Sequence, residues 1–389
     1  MPNADREPRW TTKLIHPTRS APDGFRSLAV PVYRGSTTLF DRAAGIADTW
    51  DHRAVPYTYG SYGTPTTLEL AMRIAELEGG HHSFITATGQ LALTVTYLSF
   101  LDAGDHVLVP ESVYGPSRDF ADHVLRRYGV KVEYYPPLLG AAIEARIREH
   151  TRLIWCESPG SNTLEVQDVP AIAAAARTRG VTVALDNTWA AGVFCDAFAH
   201  GADIAVQSIT KYIGGHSDLL LGSITLRGES HYSRVGDTLN HLGSAVSPDD
   251  SALALRGLQT LHVRLKAIEA SALRVAHWLA GRADVEAVLH PALPSCPGHD
   301  TWKRDFTGSS GLFSVVFRQP KTMADLQAAM DRMRVFRMGY SWGGVASLVM
   351  TPGPDAPNTT RYGGRLLRLY TGLEDTEDLI ADLEQALTV

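Results

Sequence analysis

A lysine at position 211 stands in a sequence context suited to covalent chemistry. It follows the hydroxyl residues Ser208 and Thr210 and precedes a glycine-rich turn, while residues 203–206 before it predict a short buried strand. A lysine amine can form a Schiff base with an aldehyde cofactor, and neighbouring hydroxyls can hold the phosphate of such a cofactor. A surface lysine after a strand is the ordinary alternative, and this motif alone does not exclude it.

A carboxylate occupies the matching place at the end of another predicted strand. The apolar residues 181–185 predict a strand that runs into Asp186. Because α/β sheets bind ligands at the carboxyl ends of their strands, we expect Asp186 and Lys211 to share one site. A carboxylate beside a pyridine nitrogen keeps that nitrogen protonated, as an electron-withdrawing pyridine cofactor requires. The pair therefore favours a cofactor site over a surface lysine.

Two further features of the sequence predict binding sites for negatively charged groups. Gly89 and Gln90 fall at a predicted strand-to-helix junction, where free backbone N–H groups and the helix dipole attract a phosphate. Arg368 lies inside an apolar stretch at 366–370 that predicts a strand, and an arginine there is costly unless it is paired. We therefore expect Arg368 to bind a negatively charged partner.

The composition excludes several classes of protein. With 389 residues the chain predicts a large α/β domain and a smaller one. The net charge of −6 includes no long run of one sign, which argues against nucleic-acid binding. The start lacks the apolar core of a signal peptide and no apolar run is long enough to span a membrane, so we expect a cytoplasmic protein without a membrane partner.

The sequence gives no sign of a metal site or a disulfide framework. Cys156, Cys195 and Cys296 are widely separated, with no spacing typical of either. His81 and His82 are adjacent, but no third ligand stands at a suitable distance along the chain. We therefore predict that no metal binds, and that the two histidines lie in a solvated turn.

Strands and helices alternate along much of the chain. Thr64 and Pro65 predict the start of a helix that ends at 79–80. Strands are predicted at 83–86, 106–109, 130–135, 153–156, 181–185, 204–207 and 219–226, and further helices at 142–149 and 169–179. This alternation predicts a largely parallel sheet with helices on both faces. An amphipathic stretch at 252–279 then leads to predicted strands at 311–317 and 366–370.

Several segments together resemble the Cys/Met-metabolism family of pyridoxal-phosphate enzymes, and most closely its bacterial cystathionine β-lyases. The segments are 157–172, 186–192, 210–218, 290–294, 302–314, 340–344 and 372–375. The resemblance runs from about residue 56 to the end of the chain. It implies the aspartate-aminotransferase-like fold of type I pyridoxal-phosphate enzymes, an α/β architecture in which a smaller C-terminal α/β domain accompanies the large sheet domain.

The resemblance also implies roles around pyridoxal 5′-phosphate. Lys211 would hold the cofactor and then move the substrate α-proton, and Asp186 would pair with the ring nitrogen. Tyr114 would stack on the ring, although a place in the core is its alternative. The residues implied to bind the cofactor phosphate or the adjoining site are Gly89, Gln90, Ser208, Thr210 and Tyr59.

On the substrate side, Arg368 is implied to bind the α-carboxylate in a bidentate fork. The residues implied to line the substrate pocket are Tyr340, Ser341, Trp342 and Tyr62. The family usually has arginines where this chain has Ser61 and Tyr62, one of them reaching the cofactor phosphate of a partner subunit. The change puts a preference for a substrate with a charged distal end in doubt, unless Arg53 or an arginine of the N-terminal arm replaces the missing charges.

The implied reaction is the β-elimination of L-cystathionine to homocysteine, pyruvate and ammonia, within methionine and sulfur metabolism. The implied partners are an amino-acid thioether substrate and further copies of the chain, in a homotetramer built from dimers that share active sites. We divide the chain into an extended arm at 1–60, a cofactor-binding domain at 61–250 and a C-terminal domain at 251–389.

Three alternatives remain open at this point. One is a carbon–sulfur lyase that acts on other cysteine S-conjugates. Another is a γ-lyase or γ-replacement enzyme of the same fold. A protein without catalytic activity that uses this fold for binding or regulation is the alternative from another class.

Overall fold

The computed structural model describes residues 9–15, 28–353 and 357–388. Within these residues the α-helices are α1 Trp10–Lys13, α2 Pro65–Glu78, α3 Gly89–Phe100, α4 Gly115–Phe120, α5 Val169–Thr178, α6 Tyr232–His241, α7 Pro248–Ala280, α8 His299–Asp305, α9 Met323–Arg332 and α10 Thr376–Leu387. The strands are β1 His82–Thr86, β2 His106–Pro110, β3 Lys131–Tyr135, β4 Thr151–Glu157, β5 Thr182–Asp186, β6 Ile204–Gln207, β7 Gly222–Leu226, β8 Val285–Leu289, β9 Leu312–Phe317, β10 Arg337–Met338, β11 Leu348–Met350 and β12 Leu366–Tyr370.

The first sheet has the order β1-β7-β6-β5-β4-β2-β3. The five neighbouring strands β6, β5, β4, β2 and β3 pair in parallel, whereas β7 pairs antiparallel with both β6 and β1. The largely parallel sheet predicted from the sequence is therefore confirmed. Parallel pairing places the carboxyl ends of β4, β5 and β6 along one edge, where side chains that follow these strands can meet.

Both faces of this sheet are buried. Along β4, Leu153 and Trp155 pack in one apolar cluster, while Ile154 and Cys156 pack in another on the opposite face. One cluster also holds apolar residues of α2, α5 and α7, and the other holds residues of α3 and α6. Since successive strand residues point to opposite faces, helices must cover the sheet on both sides, as a parallel sheet requires.

A smaller sheet forms later in the chain, with the order β10-β11-β12-β9-β8. Helix α7 precedes it and packs against both sheets, because its first half contributes Leu255 and Leu258 to a core of the first sheet and its second half contributes Val275 and Leu279 to the core of the second. The structure therefore has the type I pyridoxal-phosphate enzyme architecture that the sequence predicts. The division at residues 60 and 250 stays a prediction.

Several elements differ from the sequence-based expectations, as three examples show. The helix predicted at 142–149 is a 3₁₀ helix at Gly140–Arg146, in which only Ile143 is buried. The strand predicted at 219–226 begins at Gly222, because Leu221 forms both its backbone hydrogen bonds with Thr210. Strand β8 has no counterpart among the predictions, and it pairs with the edge of β9.

The described parts of the predicted N-terminal arm contain little regular structure. Besides α1 they include a 3₁₀ turn at Ala43–Gly45 and an isolated antiparallel bridge between Thr37 and Tyr59. Residues 1–8 and 16–27 of the arm lie outside the described residues.

Cys156, Cys195 and Cys296 are free and buried. Within the described ranges, no cluster of His, Cys, Asp and Glu could hold a metal ion. The prediction of a solvated turn is wrong for His82, which begins β1 and packs edge-on against Phe84 and Tyr232. None of the described helices combines the length and apolar character that crossing a membrane requires.

A buried arginine on α7 fixes the chain that follows β6. Arg264 donates one hydrogen bond of 2.7 Å to the carbonyl of Tyr212 and another of 2.7 Å to the carbonyl of Gly257. The guanidinium lies so close to Gly215 that a Cβ there would come within 2.1 Å of Arg264 Nη1. Arg264 therefore ties the turn after Lys211 to the helix that leads into the second sheet.

We expect Arg264→Met to destabilise the protein by about 3 kcal/mol, because two buried carbonyls lose a charged hydrogen-bond donor. Denaturant unfolding of the cofactor-free protein measures this change. Arg256→Met on the exposed side of the same helix is the control and should change stability by under about 0.5 kcal/mol. A loss below about 1 kcal/mol for Arg264→Met would show that the turn is held by other contacts.

Candidate active site

A cavity opens at the carboxyl ends of the parallel strands. Strands β5 and β6 lead into it through Asp186 and Lys211, and β12 supplies Arg368 from the second sheet. The other predicted site residues that line it are Gly89, Gln90, Tyr114, Ser208 and Trp342. The structure thus brings most of the predicted site residues together, from elements far apart in the sequence.

The amine of Lys211 lies in a largely buried environment. Its Nζ donates a short hydrogen bond to Ser341 Oγ and lies 5.3 Å from the centroid of the Trp342 ring. Burial, helped by the positive charge of Arg368, lowers the pKa of Lys211 to about 8, while Asp186 acts in the opposite direction. A substantial fraction of the amine is therefore neutral near neutral or slightly alkaline pH, as a nucleophile or a base must be.

The carboxylate of Asp186 is buried and held by Thr188. Both the backbone N–H (3.0 Å) and the hydroxyl of Thr188 donate to Asp186 Oδ1. Burial raises the pKa of Asp186, whereas these hydrogen bonds and the nearby Lys211 lower it. The hydroxyl oxygen of Thr188 also accepts the N–H of Ser208 at 2.9 Å, so one side chain links the ends of β5 and β6.

Sequence reasoning did not single out Thr188. A signal was present, because a hydroxyl residue two positions after an aspartate often forms a local hydrogen bond with it. Its contact with Ser208 could not be inferred from the sequence, since that contact depends on the pairing of β5 with β6.

Glu157 is a second residue that sequence reasoning missed as a part of the site. It lines the cavity at the end of β4 and accepts the backbone N–H of Tyr114 at 2.7 Å. Tyr114 is 43% exposed, so it is not a core aromatic. Glu157 thus fixes the backbone from which the Tyr114 side chain reaches the cavity.

The N-terminus of α3 forms a cradle for an anion. Thr88 caps the helix by accepting the N–H of Leu91, and the first N–H groups of a helix, here those of Gly89 and Gln90, lack partners within it. A Cβ on Gly89 would lie 2.6 Å from Ser208 Oγ, so only glycine allows the helix to approach Ser208 this closely. Backbone N–H groups and a hydroxyl therefore converge where the helix dipole also favours negative charge.

The guanidinium of Arg368 reaches the same cavity from the second sheet. Burial lowers the pKa of Arg368 to about 10, so the group is charged at neutral pH. It donates a long hydrogen bond of 3.4 Å to the carbonyl of Ser341, and none of the ion pairs among the described residues involves it. A buried cation of this kind is suited to an external carboxylate.

The remaining predicted residues do not line this cavity. Thr210 uses its hydroxyl in hydrogen bonds with both backbone groups of Leu221. Tyr340 is 86% exposed and Tyr59 is half exposed, while Tyr62 donates to Asp48 at 3.0 Å. Ser341 contacts the site through its hydrogen bond from Lys211. The assignments of these residues to cofactor or substrate stay predictions.

Ser61 and Tyr62 line a different cavity, beside His82 and Phe84. Arg53, which the sequence offers as a replacement for the missing arginines, is engaged within its own chain. It pairs with Asp51 and Glu229, and its guanidinium lies 3.8 Å from the centroid of the Tyr232 ring. Arg53 therefore does not supply a free charge in this arrangement.

The residues present fit pyridoxal 5′-phosphate. Lys211 offers an amine of lowered pKa for the aldehyde, and Asp186 offers a carboxylate for the ring nitrogen. The cradle of Gly89, Gln90 and Ser208 offers N–H and hydroxyl donors for the phosphate. The buried oxygen Gln90 Oε1 has no hydrogen-bond partner among the described residues.

Comparison with known proteins agrees with this chemistry. The model of the family described as "Cys/Met metabolism PLP-dependent enzyme" matches residues 11–388. A Rhizobium johnstonii protein provisionally named cystathionine beta-lyase is 44% identical over 379 residues, which cover 96% of this chain and 94% of the relative. Cystathionine beta-lyase MetC of Escherichia coli is 39% identical over 382 residues and 96% of each chain. The crystal structure of metB from Corynebacterium glutamicum is 28% identical, with a TM-score of 0.90 over 98% of each chain.

We expect Gly89→Ala to weaken cofactor binding about tenfold or more, because the new methyl group would displace Ser208 from the anion cradle. Titration of the cofactor-free protein with pyridoxal 5′-phosphate, followed by absorbance, measures the dissociation constant. Gly115→Ala is a matched control, since nothing lies within 4 Å of its Cβ position. Equal affinities for the two variants would place the phosphate elsewhere.

Proposed function

This chain belongs to the Cys/Met metabolism PLP-dependent enzyme family, and from that premise we propose that it is a carbon–sulfur lyase that β-eliminates a thiolate from L-cystathionine. The products would be homocysteine, pyruvate and ammonia. Relatives named cystathionine beta-lyase, 44% and 39% identical over nearly the whole chain, support this substrate.

One observation carries the proposal. A lysine amine of lowered pKa, a buried carboxylate and a charged guanidinium face one cavity, and they come from the turn after β6, from β5 and from β12. A reaction at the α-carbon of an amino acid bound to a pyridine cofactor requires three such groups. They are a base for the α-proton, a carboxylate that keeps the pyridine nitrogen protonated, and a cation that binds the substrate carboxylate. A protein that used this fold only for binding would not need a lysine with this pKa.

Each residue then has a task that follows from its surroundings. Arg368 would bind the substrate α-carboxylate, since its guanidinium is charged, buried and without a carboxylate partner among the described residues. Lys211 Nζ would remove the α-proton, and Ser341, which accepts a hydrogen bond from Nζ, would set the direction of the amine. Asp186, oriented by Thr188, would keep a proton on the ring nitrogen.

The bound cofactor supplies the electron withdrawal that makes the α-proton acidic. Lys211 provides the matching base, and its ammonium form can return the proton to the departing sulfur as the Cβ–S bond breaks. Trp342, within 5.3 Å of the lysine amine, would help to exclude water from this path. Proton removal and return by a single group need no second base, whereas a γ-elimination requires a further deprotonation at the β-carbon.

The lining of the cavity favours a second substrate class, cysteine S-conjugates with an apolar group on sulfur. Among the lining residues that the structure describes, Lys211 and Arg368 are the cations, and both are assigned to the α-amino acid end. The remaining lining residues include Leu93, Trp189 and Leu312, which suit an apolar leaving group. A charged distal end would require residues from a partner subunit in the proposed homotetramer.

We expect the purified protein to release pyruvate and homocysteine from L-cystathionine. Identification of the keto acid by mass spectrometry tests the reaction, and Lys211→Ala should release none while losing the visible absorbance of the lysine-bound cofactor. Release of 2-oxobutyrate would instead establish γ-elimination, and no release from any thioether would support a binding role.

The same assay with S-ethyl-L-cysteine separates the two substrate classes. If a partner subunit supplies a positive charge for the distal end of cystathionine, kcat/KM for cystathionine should exceed that for S-ethyl-L-cysteine. The expected ratio is about tenfold or more, because one charged hydrogen bond contributes about that factor to binding. A ratio near one or below it would assign the enzyme to apolar S-conjugates.

A further inference from the structure

Two carboxyl groups lie side by side at the edge of the first sheet. Glu157 ends β4 and Asp186 ends β5, and the two residues are direct partners in the parallel pairing of these strands. Neighbouring strands are about 4.8 Å apart, so the two side chains leave adjacent points of the backbone. Both line the cavity that Lys211 faces. The reaction proposed above uses only one of them, Asp186.

Glu157 is buried, and its carboxyl group has no cationic partner among the described residues. The residue is 8% exposed, and no ion pair among the described residues involves it. Its Oε2 accepts the backbone N–H of Tyr114 at 2.7 Å, and its own backbone N–H donates to Gln167 Oε1 at 2.8 Å. The carboxyl group therefore accepts a hydrogen bond from the neutral backbone N–H of Tyr114, and no cation among the described residues pairs with it.

The charged and titratable groups around Glu157 do not compensate a second negative charge. Asp186 lies beside it on β5, and the phenols of Tyr97 and Tyr114 are close enough to interact electrostatically with it. Lys211 and Arg368 line the same cavity, where the charge of Lys211 acts on Asp186 and that of Arg368 acts on Tyr114. Burial and the neighbouring Asp186 together raise the pKa of Glu157 well above its usual range.

Asp186 is better placed to keep the charge. It receives two hydrogen bonds from Thr188 and lies near the positive charge of Lys211. When two buried carboxyl groups are adjacent, the one with the better donors ionises and the other keeps its proton.

We propose that Glu157 is a positioning residue that remains protonated and anchors the backbone of Tyr114 at the cavity wall, which leaves Asp186 as the single charged carboxylate facing the cofactor. The inference rests on the proposed place of the cofactor ring between Tyr114 and Asp186. The negative charge beside the ring nitrogen would therefore belong to Asp186 alone. Glu157 would contribute its volume and a hydrogen-bond acceptor but no charge.

A pair of substitutions tests both parts of this role. Glu157→Gln keeps the size, the neutral state and an oxygen that can accept the N–H of Tyr114, whereas Glu157→Ala removes the acceptor. The first readout is the dissociation constant of pyridoxal 5′-phosphate. The second is the midpoint pH at which the visible spectrum of the bound cofactor changes. Neither readout requires turnover, so the result does not depend on whether the enzyme cleaves cystathionine.

We expect Glu157→Gln to bind the cofactor within about twofold of the unchanged protein and to keep the spectral midpoint within about 0.3 pH units, since no charge is lost. Glu157→Ala should bind the cofactor about tenfold more weakly, because the Tyr114 N–H loses its partner. Asp186→Asn is the control for removal of a real charge and should move the midpoint by about one unit or more.

Two outcomes would overturn the proposal. A midpoint shift in Glu157→Gln as large as that in Asp186→Asn would mean that Glu157 is ionised. Cofactor affinity in Glu157→Ala equal to that of the unchanged protein would mean that Glu157 does not position Tyr114. The Gln variant decides the protonation state by itself, so that part of the test does not require the Ala variant to fold.

Discussion

The candidate site depends on the burial of a lysine amine close to a buried carboxylate. Burial lowers the pKa of Lys211 to about 8 and raises that of Asp186, while the attraction between the two groups opposes both shifts. Burying either charge alone would cost free energy of folding. Burying the two together costs less only if the surrounding contacts hold them near each other. Thr188 donates hydrogen bonds to the carboxylate, and Ser341 accepts one from the amine. The other contacts of the site therefore fix the positions of these two oppositely charged groups.

The two sheets contribute to this pair in different ways. The first sheet presents Asp186 and Lys211 at one edge because β5 and β6 run in parallel. The second sheet adds Arg368 from β12, and the backbone carbonyl of Ser341 accepts a hydrogen bond from that guanidinium. Ser341 therefore contacts the amine of Lys211 through its hydroxyl and Arg368 through its carbonyl. A substrate carboxylate at Arg368 would bind beside the residue that orients the base.

Much of this arrangement could be predicted from the sequence, and the failures have physical causes. Lys211, Asp186 and Gly89 follow strands whose apolar runs and flanking residues are visible in the chain. The convergence of Lys211 and Asp186 follows from the parallel pairing of β5 and β6, whereas Gly89 follows β1, which runs in the same direction as β6 because β7 is antiparallel to both. Glu157 and Thr188 could not be placed in the same way, because their roles depend on which strands are neighbours and in which register. The roles of Tyr59 and Tyr62 stay predictions, because neither residue lines the cavity that holds Lys211.

Covalent trapping tests most directly the proposal that Lys211 carries the cofactor. Borohydride reduction of the holoenzyme fixes the link between cofactor and amine, and mass spectrometry of the proteolytic peptides then locates the modified lysine. We expect a single phosphopyridoxyl group, on the peptide that contains Lys211. Modification of a different lysine, or no stable modification of a protein that is coloured by the cofactor, would contradict it.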